Sequence, residues 1–325
     1  MNRTPSVKKQ YLNLRNKKIL VTGGAGFLGS HVVRKLIKKG VPEKNITIPR
    51  SRNCDLRKFE NCQKAVKGQD VVIHLAANAG SISYNINNPA TLFYDNITMN
   101  TNMIEVSRQA GIEKFVAIGS ICSYPKSAPM PISEEYFWNG YPEETSAPYG
   151  LAKKMLTVQL QAYKKQYNFN GVCVILANMY GPGDEFDPLK SHVIPALIKK
   201  FTDAKRDNQP FVEIWGTGKP TRDFFYIEDA ADSVILATER YNSPDPINLG
   251  PGKEIPIKKI VTTIAGLTGF KGKLIWDKDK PDGQPRRVFN TAKAKKELGF
   301  KAKTSLETGL KKTVEWYLIS SENRK

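Results

Sequence analysis

Residues 19–29 read ILVTGGAGFLG. A short apolar run leads into a glycine-rich turn, and a helical pattern over 27–39 follows. Gly23, Gly26 and Gly29 form G-x-x-G-x-x-G, and Gly24, Gly26 and Gly29 also form G-x-G-x-x-G. Glycine admits positive φ and lets a diphosphate come against the backbone. The helix behind it offers free N–H groups and the positive end of its dipole. In this strand–turn–helix setting the motif predicts a dinucleotide site. Gly23, Gly24, Ala25, Gly26, Phe27, Leu28 and Gly29 would surround the pyrophosphate. The competing reading is an ordinary tight turn.

Outward from this turn, β-rich runs at 46–48, 71–75, 115–118 and 172–177 alternate with helical patterns over 57–66, 90–109 and 149–167. Such alternation predicts right-handed βαβ crossovers and a parallel sheet covered on both faces. The fold expected is α/β, a Rossmann doubly wound parallel sheet with a smaller mixed α/β substrate domain. Residues 17–182 and about 221–250 are assigned to the cofactor domain, about 183–220 and 251–325 to the substrate domain, and 1–16 to a basic tail. Further helices are expected at 191–203, 228–241, 257–267 and 305–319. Between them lie Pro- and Gly-rich loops, YGPGDEFDP, WGTGKPTRDF and KPDGQPRR, of the kind that carry function on a rigid scaffold.

NAD-binding folds place a carboxylate after the second strand to hold the ribose 2′-hydroxyl. Here that stretch reads ITIPRSRNCDL, and Arg50 and Arg52 stand in its place. Guanidinium groups suit a 2′-phosphate, so NADP(H) is expected over NAD(H). Asp55 and Leu56 are placed beside the adenine. The alternative for both arginines is solvated surface charge.

The net charge of +19 over 325 residues favours anionic partners, with a nucleotide cofactor and a nucleotide-linked substrate among them. No basic block interleaves with aromatics, which argues against nucleic acid. No apolar run approaches the roughly 20 residues of a bilayer helix. The N-terminal stretch has no apolar core of a secretory signal, so a cytoplasmic location is expected. The four cysteines, Cys54, Cys62, Cys122 and Cys173, lack C-x2-4-C spacing, and no metal is expected.

Residues 149–153 read YGLAK. Tyr149 and Lys153 share one helix face, and a nearby ammonium stabilises a phenolate. Ser120 ends the fourth strand and would supply a hydroxyl to a carbonyl oxygen. Cys122 follows in GSICSYP at 119–125. A lone cysteine there is usually a small hydrophobe. Cys54, Cys62 and Cys173 are taken as structural or surface thiols, and His31 and His74 as structural.

The glycine turn, Ser120, Tyr149, Lys153, His74–Ala77 (HLAA) and Asn178–Pro182 (NMYGP) together resemble the extended short-chain dehydrogenase/reductase family. In that family the tyrosine is general acid/base at a sugar carbon that alternates between alcohol and ketone. GSICSYP, SHVIPALIKKF (191–201), IWGTGKPTRDFFYIEDAA (214–231) and KPDGQPRR (280–287) narrow the resemblance. They are similar to the branch that takes GDP-4-keto-6-deoxy-D-mannose to GDP-L-fucose by 3,5-epimerisation and then 4-keto reduction. The resemblance implies Tyr149, Lys153, Ser120, Cys122 and His192 as catalytic residues. It places Ile118, Gly119, Ser120, Ile121, Lys153, Leu176, Ala177, Asn178, Met179 and His192 against the cofactor. It assigns Lys200, Trp215, Arg222, Asp282 and Arg287 to the GDP-linked substrate, and it implies a homodimer. Core packing is the alternative for Trp215.

Lys200 stands where some members carry arginine. Ala79–Ile82 (AGSI) replaces a V-G-G-I segment, with Asn85 nearby as a further contact. A related nucleotide-sugar 4-reductase or an NAD-dependent 4-epimerase is therefore the alternative activity. A dinucleotide-binding scaffold or RNA-binding protein is suggested by charge alone.

Overall fold

The computed structural model describes residues 11–187, 191–280 and 282–322; residues 1–10 of the expected basic tail lie outside them. The chain runs β1 (Ile19–Thr22), α1 (Phe27–Lys38), β2 (Ile46–Thr47), α2 (Phe59–Val66), β3 (Val71–His74), α3 (Ile82–Asn87), α4 (Pro89–Gln109), β4 (Lys114–Ser120), α5 (Ala147–Tyr167) and β5 (Gly171–Leu176). It continues through β6 (Asn178–Tyr180), α6 (Val193–Arg206), β7 (Phe211–Trp215), β8 (Thr221–Arg222), β9 (Phe224–Tyr226), α7 (Ile227–Arg240) and β10 (Ile247–Leu249). The last elements are β11 (Ile255–Pro256), α8 (Ile257–Thr268), β12 (Lys273–Asp277), β13 (Arg286–Arg287), α9 (Ala292–Leu298) and α10 (Leu306–Glu322).

Six parallel strands form the main sheet in the order β10-β5-β4-β3-β1-β2. The chain steps from β1 to the edge strand β2, then returns to β3 on the other side of β1. That reversal is the topological switch point of an open α/β sheet, where ligands settle beyond the carboxyl ends of the strands. The turns after β1 and β3 flank it.

Strand periodicity explains why both faces are covered. Ile19, Val21, Val71, Ile73, Val116, Ile118, Val172 and Val174 point into one core with Val32 and Leu36 of α1 and Val234 of α7. Leu20, Val72, Phe115, Ala117 and Cys173 point into the other with Val66 of α2, Met103 of α4, and Leu156 and Leu160 of α5. Alternate side chains leave a strand on opposite faces, so continuous apolar runs require helices on both sides.

Beyond the sheet, α6 packs on α8 and on β7, and β7 pairs in parallel with β12. Three very short strands, β11, β8 and β13, make a second small sheet. Two short helices, α3 and α9, fall where no helix is expected from the sequence. One helix start is also corrected. The sequence suggests a serine cap at Ser191, but His192 occupies the N-cap position of α6 with no side-chain capping bond. The Ser191 hydroxyl is buried without a partner among the described residues.

Candidate active site

The glycine turn is shaped by close approaches that only glycine permits. Gly23 has φ 67°, and a Cβ there would lie 2.8 Å from the Ala76 amide nitrogen. A Cβ at Gly29 would overlap the Gly23 carbonyl. The turn is thereby pressed against the segment after β3, at the switch point. Gly26 is the N-cap of α1, which has neither a side-chain cap nor an acidic residue in its first turn. Its leading N–H groups face outward with no carboxylate to compete for them.

Arg50 and Arg52 are exposed beyond β2, and neither side chain has a hydrogen-bond or ion-pair partner among the described residues. Two uncommitted guanidiniums beside an anion-binding turn fit a cofactor carrying a 2′-phosphate. Asp55 is differently engaged. Its carboxylate takes Arg57 at 2.9–3.2 Å, and this pairing holds it below the usual carboxylate range. Arg57 also reaches Asp95 at 3.0 Å, and Asp95 accepts a bond from Asn78 at 2.9 Å. Asn96 fixes the same segment from both sides, accepting from the Asn78 N–H at 3.1 Å and donating to the Asn78 carbonyl at 2.7 Å. None of Arg57, Asn78, Asp95 and Asn96 was singled out from the sequence. They are scattered over two loops and α4, and no local motif marks them. Leu56 is buried in the second core, below Asp55.

Several of the expected residues lie at the strand ends. Ile118, Gly119 and Ser120 finish β4, and Ile121 is buried just beyond it. Leu176 ends β5, Ala177 is buried, and Asn178 and Met179 lie on β6, which pairs with β9. Tyr149 sits in the first turn of α5, with its phenol beside the Ser120 hydroxyl. Burial, and then the neighbouring Cys122 sulfur, push the Tyr149 phenol above its ordinary value. Lys153, one turn on, is almost wholly buried, and that burial pushes its ammonium down to about 8.

His74 ties these parts together without titrating. The Thr22 hydroxyl lies 2.7 Å from Nδ1, and Nε2 donates to Asn100 Oδ1 at 3.1 Å. Asn100 in turn donates to the Ala152 carbonyl, next to Lys153. Burial, and then the Lys153 ammonium, push His74 down to about 3, so it stays neutral. His31 links α1 to the turn at 181–183, with Glu228 at 2.5 Å and the Pro182 carbonyl at 2.8 Å.

Cys122 lies in a single 3-10 turn, Ile121–Ser123, directly after β4. The Ser120 hydroxyl accepts its N–H at 3.1 Å, and the Ser123 hydroxyl donates to the Gly150 carbonyl at 2.9 Å. A Cβ on Gly150 would overlap the Cys122 carbonyl. The cysteine turn is thus seated against the residue that follows Tyr149. The Cys122 sulfur is half-buried and 4.0 Å from Arg287 Nη1. His192 presents accessible surface at the start of α6, yet the protein around it disfavours its charged form. Among the described residues no hydrogen bond joins it to Cys122.

Arg222 and Arg287 are register partners on β8 and β13. Arg222 Nη1 donates to the Thr221 and Gln284 carbonyls at 2.8 and 2.6 Å. Burial, and then Arg287, push Arg222 down to about 10. Adjacent guanidiniums repel, and an anion between them relieves that repulsion. Asp223, fully buried beside them, accepts the N–H groups of Gly252, Lys253 and Phe289 at 3.1, 3.2 and 3.4 Å. Trp215 is 64% exposed, which removes core packing as its explanation. Lys280 stands 5.7 Å from its ring centre. Lys200 donates to the Glu213 carbonyl at 2.5 Å, across from β7. Asp282 already clasps Thr217, taking its N–H and its hydroxyl at 2.6 Å each.

The description "NAD dependent epimerase/dehydratase family" belongs to a family model that matches residues 19–250. The chain belongs to this family. Within the NAD dependent epimerase/dehydratase family it is 38% identical to a GDP-L-fucose synthase of Sinorhizobium fredii, over 94% of this chain and 96% of that one. Its structure resembles a GDP-L-fucose synthetase from Naegleria fowleri bound to NADP, with TM-score 0.87 and 29% identity, covering 98% of this chain and 100% of that one. It also resembles a GDP-6-OMe-4-keto-L-xylo-heptose reductase from C. jejuni, with TM-score 0.86 and 28% identity over 94% and 99% of the two chains.

Proposed function

We propose that the chain is an NADPH-dependent epimerase-reductase that converts GDP-4-keto-6-deoxy-D-mannose to GDP-L-fucose. The observation that carries this is the meeting of Ser120, Tyr149 and Cys122 at the end of β4, with Lys153 one turn away. A reductase alone needs the first two and the lysine; the sulfur beside them adds a second acid–base group.

A C4 ketone acidifies the protons on C3 and C5. Cys122 and His192 exchange those protons, one group removing a proton and the other returning one on the opposite face. Ser120 and Tyr149 hydrogen-bond the C4 oxygen and stabilise the enolate. Bound NADPH supplies the hydride for C4. Tyr149, held as a phenol, donates its proton to the oxygen, and Lys153 offsets the charge left behind. Arg222 and Arg287 hold the diphosphate, and Trp215 offers a flat apolar surface to the nucleoside. Arg50 and Arg52 take the cofactor's 2′-phosphate. Asp55 and Leu56 border its adenine, and Ile118 to Ile121, Leu176 to Met179 and His192 line the rest of its site.

This assignment gives a pH profile with a definite sign. Lys153 is an ammonium below about 8 and loses its charge above that value. Reductive kcat is expected to hold level at neutral pH and to fall above about pH 8. It is measured at saturating NADPH and substrate; a rate that climbs through that range contradicts the role given to Lys153.

Exposed Phe93 and Tyr94 on α4, with Val158 on α5, support a homodimer built on these two long helices. No described helix is long and apolar enough to cross a membrane, and a cytoplasmic location is part of the same proposal.

The test is turnover of GDP-4-keto-6-deoxy-D-mannose with NADPH in deuterated water. Deuterium at C3 and C5 with matching NADPH loss is expected. NADPH loss without exchange leaves a 4-reductase, the second reading, which the AGSI segment at 79–82 favours because it departs from the branch pattern near the sugar.

A further inference from the structure

We propose that Arg287 is the positioning residue for Cys122, joining the diphosphate site to the proton-transfer step. This rests on the epimerase-reductase reading above. It adds a second task to a side chain otherwise assigned to the substrate's phosphates alone.

The Arg287 guanidinium spans the cysteine turn. Nη1 stands 4.0 Å from the Cys122 sulfur, and Nη2 donates to the Ile121 carbonyl at 2.8 Å. The sulfur and the backbone before it are therefore held by one rigid planar fork. Its own backbone is fixed from below. β13 pairs with β8, and the Arg287 carbonyl accepts the Asp223 N–H at 3.0 Å. Asp223 is anchored in turn by three backbone donors, so the strand cannot drift without breaking a buried carboxylate's bonds.

No carboxylate is ion-paired to Arg287 among the described residues, in contrast to Arg286, which pairs with Glu254. A guanidinium carries five N–H donors. Two donor nitrogens face the cysteine turn, and the remaining capacity is open to an anion shared with Arg222. The same cation thus touches the sulfur and faces the diphosphate. During epimerisation the proton leaves C3 or C5 for sulfur. The C–H electron pair passes into the enolate whose charge rests on the C4 oxygen, and His192 supplies the replacement proton. A sulfur free to rotate away from the ring edge loses this step and not the hydride step, which uses Tyr149.

The experiment compares wild type, Arg287→Met and Arg287→Lys as holoenzymes. One assay follows deuterium entering C3 and C5 of GDP-4-keto-6-deoxy-D-mannose in deuterated water with NADP+. The other follows NADP+-dependent oxidation of GDP-L-fucose, the hydride step run backwards, which needs no epimerisation. Both are read as kcat at saturating nucleotide sugar, so weakened diphosphate binding appears in KM instead.

For Arg287→Met the ratio of exchange to hydride transfer is expected to fall ~100-fold, the scale of a misplaced catalytic group. Arg287→Lys, which restores a cation, is expected to recover part of that ratio. An unchanged ratio, with both activities falling through KM alone, overturns the proposal and leaves Arg287 as a phosphate anchor. If Arg287→Met does not fold, an unchanged ratio in Arg287→Lys together with unchanged Cys122 alkylation rates overturns it equally. Failure of the wild type to exchange deuterium would instead overturn the epimerase reading itself.

Discussion

Tyr149→Phe is expected to slow NADPH oxidation by about 1,000-fold, the scale of a lost general acid. The substitution removes one oxygen and keeps the ring, so α5 and its packing should survive. In the proposed mechanism the proton that reaches the C4 oxygen comes from this phenol, which its surroundings hold protonated. Ser120, which the proposal also places on that oxygen, can still polarise it, but it has no ammonium one turn away. The variant should therefore bind NADPH normally and lose less of its deuterium exchange than of its hydride transfer, because Ser120 is still there to stabilise the enolate. Thermal melting separates a chemical defect from misfolding. A loss of less than about 10-fold in kcat would remove Tyr149 from the role of acid.

Cys122→Ser is expected to lower deuterium exchange at C3 and C5 by at least ~100-fold while sparing hydride transfer to and from GDP-L-fucose. The replacement is nearly isosteric, and the turn that holds it depends on backbone contacts. The Cys122 N–H still meets the Ser120 hydroxyl, and the Cys122 carbonyl still lies against Gly150. What changes is the atom: a hydroxyl gives up its proton far less readily than a thiol. The prediction is read by mass spectrometry of recovered nucleotide sugar beside the rate of NADP+ reduction. Exchange at the wild-type rate would show that sulfur is not the base. Parallel loss of both activities would show that the turn, rather than the thiol, had been damaged.

The two variants separate two chemistries that share one strand end. Ser120 and Cys122 are two residues apart at the end of β4, and Tyr149 arrives from α5. Rigid strands and a long helix position these groups better than loops would. The side proposed to take the substrate is built differently, from strands of two residues held by a buried carboxylate. One residue expected there is already engaged within the chain: Asp282 is spent on Thr217.

Much of the main sheet was legible because its strands are short apolar runs bounded by turns, and a fully buried strand has to look that way. α3 and α9 were not. Each is under three turns long, and propensity over so few residues is a weak signal. The start of α6 was misjudged for a related reason. Serine before a helix usually caps it, but Ser191 is buried and turned elsewhere, leaving His192 at the helix entrance. Trp215 carried two readings until β7 proved to alternate exposed and buried residues, with the tryptophan on the open face.

By itself the sequence determined what depends on neighbours along the chain. The glycine spacing dictates a turn that only glycine can make, Tyr149 and Lys153 share a face because they are one helical turn apart, and arginines rather than a carboxylate stand where the second strand ends. Tertiary structure alone decided what depends on chain segments far apart. It made β5 the neighbour of β10, whose place in the cofactor domain the sequence already suggested, set Arg222 and Arg287 in register, and brought Arg287 to a cysteine 165 residues earlier. The reason is physical: local patterns constrain φ, ψ and the face a side chain occupies, while contacts between distant segments arise only when separate cores pack against one sheet.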